Sequence, residues 1–301
     1  MATARDDFED VKILDNFYQT SCFFPMPVVL VSTLAESGAT NLGPYSLCFP
    51  HIISKRHAMM LIARGNSNTA TNLRRTGVAV LNFIPDERAY LENCVVLGFP
   101  GETTEEKMKH SIFTLLPAPH AAHDGHRFPE LVGEAVQAFL CTWDRSHPHE
   151  TEGLEHHYLL NVEHIVMHKR WREALLKGGE FPRLPIDYGY RDSLNFWFAR
   201  GSKPYAVGLP EGHGVTADAV QFKADRIDTD VTWERAACEE LVGVPRIFLK
   251  TVLTGCVEAA KARGVKRITP ELLHQLRDKR AAEHHTSAVS KVLRWPWRRA
   301  N

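Results

Sequence analysis

The loop Arg64-Gly65-Asn66-Ser67-Asn68 and the Thr69 that follows it concentrate groups able to hold an anion. A guanidinium, a glycine and small hydroxyl and amide side chains precede a stretch that reads as a short helix. It starts near Thr69 and stops before Gly77. Arg74 and Arg75 fall in its last turn, where cations suit the helix dipole. The first N–H groups of a helix lack internal acceptors and sit at its positive end, which suits a phosphate. The plainer role for the same residues is capping, with Asn68 or Thr69 as N-cap. Spacing alone leaves both roles open.

Strands must carry that loop. Val28 to Val31 is a short apolar run rich in β-branched residues, which predicts a buried strand. Glu36-Ser37-Gly38 turns the chain into a second extended segment, Asn41-Leu42-Gly43-Pro44-Tyr45-Ser46. Ala58 to Ala63 and Val78 to Phe83 read as strands on either side of the loop and helix. Ahead of them, Phe8, Val11, Leu14, Asp15 and Tyr18 fall near helical spacing and predict an entry helix or arm over residues 8 to 20.

Four spaced motifs in this stretch carry a resemblance. They are Pro27-Val28-Val29-Leu30-Val31-Ser32-Thr33; Gly38 with Asn41-Leu42-Gly43-Pro44-Tyr45-Ser46; Thr69-Ala70-Thr71-Asn72-Leu73; and Thr76-Gly77 with Val80-Leu81-Asn82. In this order they resemble the flavin reductase-like family of FMN-binding split β-barrels, best over Pro25 to Phe83 and more loosely out to Pro210. The resemblance implies a noncovalent flavin, FMN rather than FAD, at the interface of a homodimer. Matched to the family pattern, Ser32, Thr33, Asn41, Pro44 and Ser46 would line the isoalloxazine or ribityl region. Ser67, Asn68, Thr69 and Asn72 would take the phosphate. The family often carries a Lys where Ser67 stands, so one positive charge is missing, and Arg64 or Arg74 could replace it. A family His near the flavin is matched by His157, ahead of Tyr158-Leu159-Leu160; an idle strand-edge His is the alternative.

The whole chain, 301 residues, exceeds one typical domain. Its 36 Lys plus Arg balance 36 Asp plus Glu, so no global field draws in nucleic acid or an anionic membrane. The cysteines, at 22, 48, 94, 141, 238 and 256, form no CxxC pair and suit reduced thiols. The N-terminal MATARDDFEDVK is acidic and has no apolar signal core, and no run approaches membrane-spanning length, so a cytoplasmic location is expected. Neither a GxGxxG after a strand nor a GxxxxGK[ST] or GxSxG is present, which removes the Rossmann, P-loop and hydrolase templates.

Between Leu115 and Glu130, prolines and a glycine break any period, and His120, His123 and His126 share that loop. His147, His149, His156 and His157 follow. HxxHxxH can bind a transition metal, but no cysteine or evident carboxylate set completes it, so no metal is assigned; a lid over the flavin is another use for such a loop. Glu134 to Trp143 and His157 to Met167 read as strands. Pro182 to Pro210 is rich in aromatics, with Arg191 and Arg200 as candidates to hold a dinucleotide phosphate or a carboxylate substrate. Core and dimer packing is the bland alternative there.

Composition places a linker at 211–230 and helices over 231–285. Thr232 can cap a helix through Leu241, Pro245 opens a second, and Thr269-Pro270-Glu271 opens a third. This block resembles the small helical module named after protochlorophyllide reductase. That suggests a docking appendage for a protein partner and imports no chlorophyll chemistry. Residues 286–301 read as a flexible basic tail.

The expected architecture is therefore mainly β with α: a split β-barrel over 1–210, then a small all-α three-helix domain. The resemblance implies an NAD(P)H:flavin oxidoreductase, with hydride passing to flavin N5 and no dedicated acid–base pair. A flavin-bound electron carrier serving a partner protein, and a split barrel holding haem or a deazaflavin, are the rival readings.

Overall fold

Seven antiparallel strands form the main sheet. They are β1 (Val29–Leu34), β2 (Thr40–Tyr45), β3 (Cys48–Ile52), β4 (Ala58–Arg64), β5 (Val78–Phe83), β6 (Gln137–Trp143) and β7 (Glu155–Met167). The hydrogen-bonded order is β2-β1-β5-β6-β7-β4-β3. The two outermost strands are thus β2 and β3, which only Ser46 and Leu47 separate in sequence. In a flat sheet those edges would lie about 29 Å apart, six spacings of about 4.8 Å. Two linking residues reach only about 11 Å, three steps of 3.8 Å between Cα atoms. The sheet must curl until its edges meet, which makes it a split barrel.

The computed structural model describes residues 8–14, 16–122, 127–147, 154–190, 194–201, 204–205, 207 and 216–286. It divides into two compact units, Met1–Tyr205 and Ala206–Asn301.

Strand alternation in the first unit sorts its core into two faces. Val29, Val31, Leu61, Leu81, Tyr158 and Leu160 pack against Ala70 and Leu73 of helix α1 (Asn68–Thr76). On the other face Leu30 and Leu42 pack against Leu91, Cys94 and Leu97 of α2 (Arg88–Gly98). Helix α3 (Thr104–Met108) begins at a capping box between Thr103 and Glu106. A smaller antiparallel sheet joins Met26–Pro27, Ile186–Tyr190 and Phe196–Ala199.

The expected entry helix shrinks to Phe17–Thr20, and Phe8, Val11 and Leu14 lie exposed, with nothing to bury them among the described residues. Helical spacing without a packing partner does not hold a helix.

The second unit has its own core, built on Val220, Ala224, Ala237, Leu249, Leu253 and Leu273. Its helices run Ala217–Ala224, Arg235–Glu239, Arg246–Ala262 and Pro270–Thr286. The first lies inside the stretch read as linker; Thr216 caps it, and Val220 and Ala224, four apart, bury its one apolar stripe. Thr232 does not cap a helix. Thr232–Trp233 instead pairs in parallel with Arg267–Ile268, and the next helix starts after Glu234. The basic tail from residue 287 lies outside the described residues.

Candidate anion site at the first turn of α1

The cap of α1 is Ser67, not Asn68 or Thr69. The Ala70 N–H donates to the Ser67 hydroxyl at 3.1 Å, and the Tyr45 hydroxyl lies 3.2 Å from the same oxygen. The backbone N–H groups of Asn68 and Thr69 meet no acceptor among the described residues. Gly77 closes the far end in the left-handed conformation, φ 71°, as its place after the two arginines predicts.

Behind this turn lies a sealed polar network. The Asn41 amide donates toward Thr33 Oγ1 (3.3 Å) and Thr69 Oγ1 (3.5 Å), and the Asn72 amide donates to Thr33 Oγ1 (3.1 Å). Thr104 of α3 donates to Asn41 Oδ1 at 3.5 Å. Thr33 and Asn41 are fully buried, Thr69 and Asn72 nearly so. A Cβ at Gly43 would stand 2.7 Å from Thr69 Oγ1, so only glycine lets β2 approach α1 this closely. These side chains satisfy one another, which ties α1 and α3 to β1 and β2.

The seven residues matched to the flavin pattern over β1, β2 and α1 therefore separate. Thr33 and Asn41 face α1, directly opposite each other across the β1–β2 ladder. Ser32 and Pro44 point to the α2 face, because neighbours in a strand alternate. Ser32 accepts from the Asn82 amide at 2.8 Å in the buried interior. As side chains, Ser32 and Pro44 cannot line one ring system with Thr33 and Asn41. The same alternation separates His157 from its neighbours: His156 and Tyr158 face α1, and His157 lies on the other face of the strand. His156 is the ring at the loop, its Nε2 only 2.7 Å from where a Gly65 Cβ would be, and its Nδ1 is buried without a partner.

The cations divide as well. Arg74 donates to the Tyr158 hydroxyl (3.1 Å) and the Gly65 carbonyl (2.8 Å), holding the loop rather than facing outward. Arg64 is exposed and makes no hydrogen bond or ion pair through its side chain among the described residues. Lys107 of α3 is only 8% exposed, yet its ammonium also has no hydrogen-bond or ion-pair partner among the described residues. Burial lowers its pKa to about 8; Glu102 opposes that shift and Arg64 adds to it, so both charges are near. The Asn68 amide donates to the Glu102 carbonyl at 3.0 Å, which brings the segment leading into α3 against the first turn of α1. Sequence reasoning missed Lys107. Its signal was Thr103-x-x-Glu106, a capping box that fixes the start of a helix and sets Thr104 and Lys107 on one face.

Ser46 donates to Asp187, a buried carboxylate that also accepts from the Gly189 N–H at 2.6 Å. Burial raises the Asp187 pKa, against those two hydrogen bonds. Arg200 stands exposed just after Phe196–Ala199, without a hydrogen bond or ion pair among the described residues. Arg191 lies outside the described residues, as do His123, His126 and His149. His120 stacks on His164, centroids 4.1 Å apart, and no three metal-ligating side chains converge among the described residues.

No family model matches the chain, and no curated protein does. Solved structures do. The chain is similar to 2-nitrobenzoate 2-nitroreductase from Pseudomonas fluorescens at 14% identity, covering 70% of this chain and 98% of that one, TM-score 0.50. It is also similar to flavoredoxin from Methanosarcina acetivorans (14%, 68% and 98%, 0.50). A third is nitrilotriacetate monooxygenase component B from Bacillus cereus (13%, 69% and 98%, 0.50). At this identity the likeness shows the fold, which is the split barrel that the strand order dictates.

Proposed function

We propose that the first unit binds FMN and works as a flavin oxidoreductase, accepting hydride from NAD(P)H. The observation that carries this reading is the first turn of α1, where two N–H groups without acceptors among the described residues lie in the neighbourhood of two cations, Arg64 and Lys107, without partners there. Together these fit a terminal phosphate. The neighbours' names, a nitroreductase and a flavoredoxin among them, agree with redox chemistry on this fold. Bound flavin supplies the two-electron chemistry, with flavin N5 as the hydride acceptor. Asn68, Thr69, Ser67 and Arg64 hold the phosphate, and Ser46, fixed by Asp187, borders the ring end. The sealed network of Thr33, Asn41 and Asn72 keeps water out from behind and sets the angle of α1.

A homodimer fits the exposed Phe23, Phe24, Phe181 and Trp197, and the helical second unit would recruit a protein partner. The test is the visible spectrum of purified protein with added FMN, followed by anaerobic NADH or NADPH. Flavin bands that perturb on binding and bleach on adding the nucleotide are expected. No spectral change with FMN would sink the cofactor assignment. Bands that bleach only with a protein or chemical reductant would replace the reductase by an electron carrier.

A further inference from the structure

We infer that Lys107 supplies the phosphate-binding charge of this site, from a different helix, and makes the site selective for a phosphomonoester-bearing flavin over a neutral one. The inference rests on the FMN reading and deepens it. The position ahead of the helix where a basic residue would be expected is Ser67, whose hydroxyl is already engaged by the Ala70 N–H and Tyr45. Arg74 cannot serve, because its guanidinium is tied to Tyr158 and Gly65.

Lys107 can serve. Thr104 and Lys107 are three residues apart on α3, both buried, and so share one face. Thr104 reaches Asn41 Oδ1, and Asn41 reaches Thr69 in the first turn of α1. That places the inward face of α3 on β2, one side chain, Asn41, away from the turn whose N–H groups lack acceptors among the described residues. Lys107 as a residue is more than nine-tenths buried and its ammonium meets no counter-ion among the described residues, which is costly for a charge, and the nearby Arg64 makes it more so. Glu102 is the nearest carboxylate influence, but it remains outside ion-pair distance and is shared with His110 at 4.0 Å. A phosphate received between Lys107, Arg64 and the Asn68 and Thr69 N–H groups would satisfy all four at once.

The experiment titrates the full chain and its Lys107→Met variant with FMN, riboflavin and inorganic phosphate. Binding is followed by flavin fluorescence and, for phosphate, by thermal shift. The wild type should bind FMN more tightly than riboflavin. The variant should lose about ten- to hundred-fold in FMN affinity, the worth of a charge-assisted hydrogen bond, with riboflavin unchanged. Equal losses for both flavins, or none, would overturn the inference. Should the wild type bind neither flavin, the FMN reading fails by itself. Phosphate stabilisation that Lys107→Met abolishes would then still support Lys107 as an anion ligand, and its absence would overturn that too.

Discussion

Two polar clusters meet at α1, and they treat hydrogen bonding in opposite ways. Thr33, Asn41, Thr69 and Asn72 lie behind the helix and bond to one another. In front of it, the exposed Arg64 side chain, the buried Lys107 side chain and the N–H groups of Asn68 and Thr69 have no hydrogen-bond partner among the described residues. A buried polar group without a partner is destabilising, so one kept that way needs a ligand to explain it. The sealed cluster shapes the site, and the open one has capacity left for binding. Substitutions on the two sides should therefore change stability in opposite directions.

The largest effect is expected where buried bonds are densest. Asn82 is fully buried; its amide donates to the Leu30 carbonyl and to Ser32 Oγ, both at 2.8 Å, and its Oδ1 accepts from the Val132 N–H at 2.9 Å. Asn82→Ala should lower stability by about 3 kcal/mol in urea unfolding, since three buried groups lose partners together. A loss under about 1 kcal/mol would mean that water reaches the gap and that the interior is not sealed.

On the open side, Lys107→Met should stabilise the ligand-free protein at pH 7 by about 1–3 kcal/mol. The sign follows from linkage. Burial holds the folded pKa near about 8, below the ordinary 10.5, so the folded state binds fewer protons than the unfolded one between those values. Wild-type stability should rise with pH across that window, while the full penalty of the buried charge is present below it. The charges that act on it are those of Glu102, which favours the ammonium, and Arg64, which opposes it. The variant should lack this rise, and parallel pH profiles for the two proteins would contradict an unpaired ammonium.

Asp187 offers a smaller effect of the opposite pH sign. Burial raises its pKa, so the folded state holds its proton more firmly and its contribution declines as pH rises above the ordinary 3.8. Asp187→Asn should remove that decline while keeping an acceptor for the Gly189 N–H. Denaturation midpoints taken from pH 4 to 7 would show the slope persisting if Asp187 is not its source.

What the sequence made legible follows the range of the interactions involved. Strands with β-branched apolar runs, and a helix closed by Gly77, are local features and read correctly to within three residues at their ends. The cap shifted from Asn68 to Ser67 because the hydroxyl that precedes the helix, not the amide within it, is the one that reaches back to Ala70. Motif matching gathered Ser32, Thr33, Asn41 and Pro44 into one site. Period-two alternation, equally readable, would have separated Ser32 and Pro44 from the other two. The same rule separates His156 from His157. Thr232–Trp233 could not be read as a strand, since its partner lies more than thirty residues on, at Arg267–Ile268. Nor did local spacing show that Lys107 would be buried beside α1, because that depends on α3 packing over Asn41 and Thr69.

The smallest predicted effect tests whether the two ends of α1 are independent. Gly77 sits at φ 71°, its N–H donates to the Leu73 carbonyl at 2.8 Å, and its carbonyl accepts from the Trp143 N–H at 2.7 Å. A Cβ there would lie 3.4 Å from Arg145 Nη2, an ordinary contact, so the penalty of Gly77→Ala is conformational and not steric. It should amount to about 1 kcal/mol. Helix-terminal effects fade within a turn, and the anion groups lie at the opposite end of this nine-residue helix. FMN affinity should then stay unchanged while the unfolding midpoint drops. A parallel fall in FMN affinity would show that α1 moves as one rigid piece with its C-cap. The open cluster would in that case depend on the packing that seals the closed one.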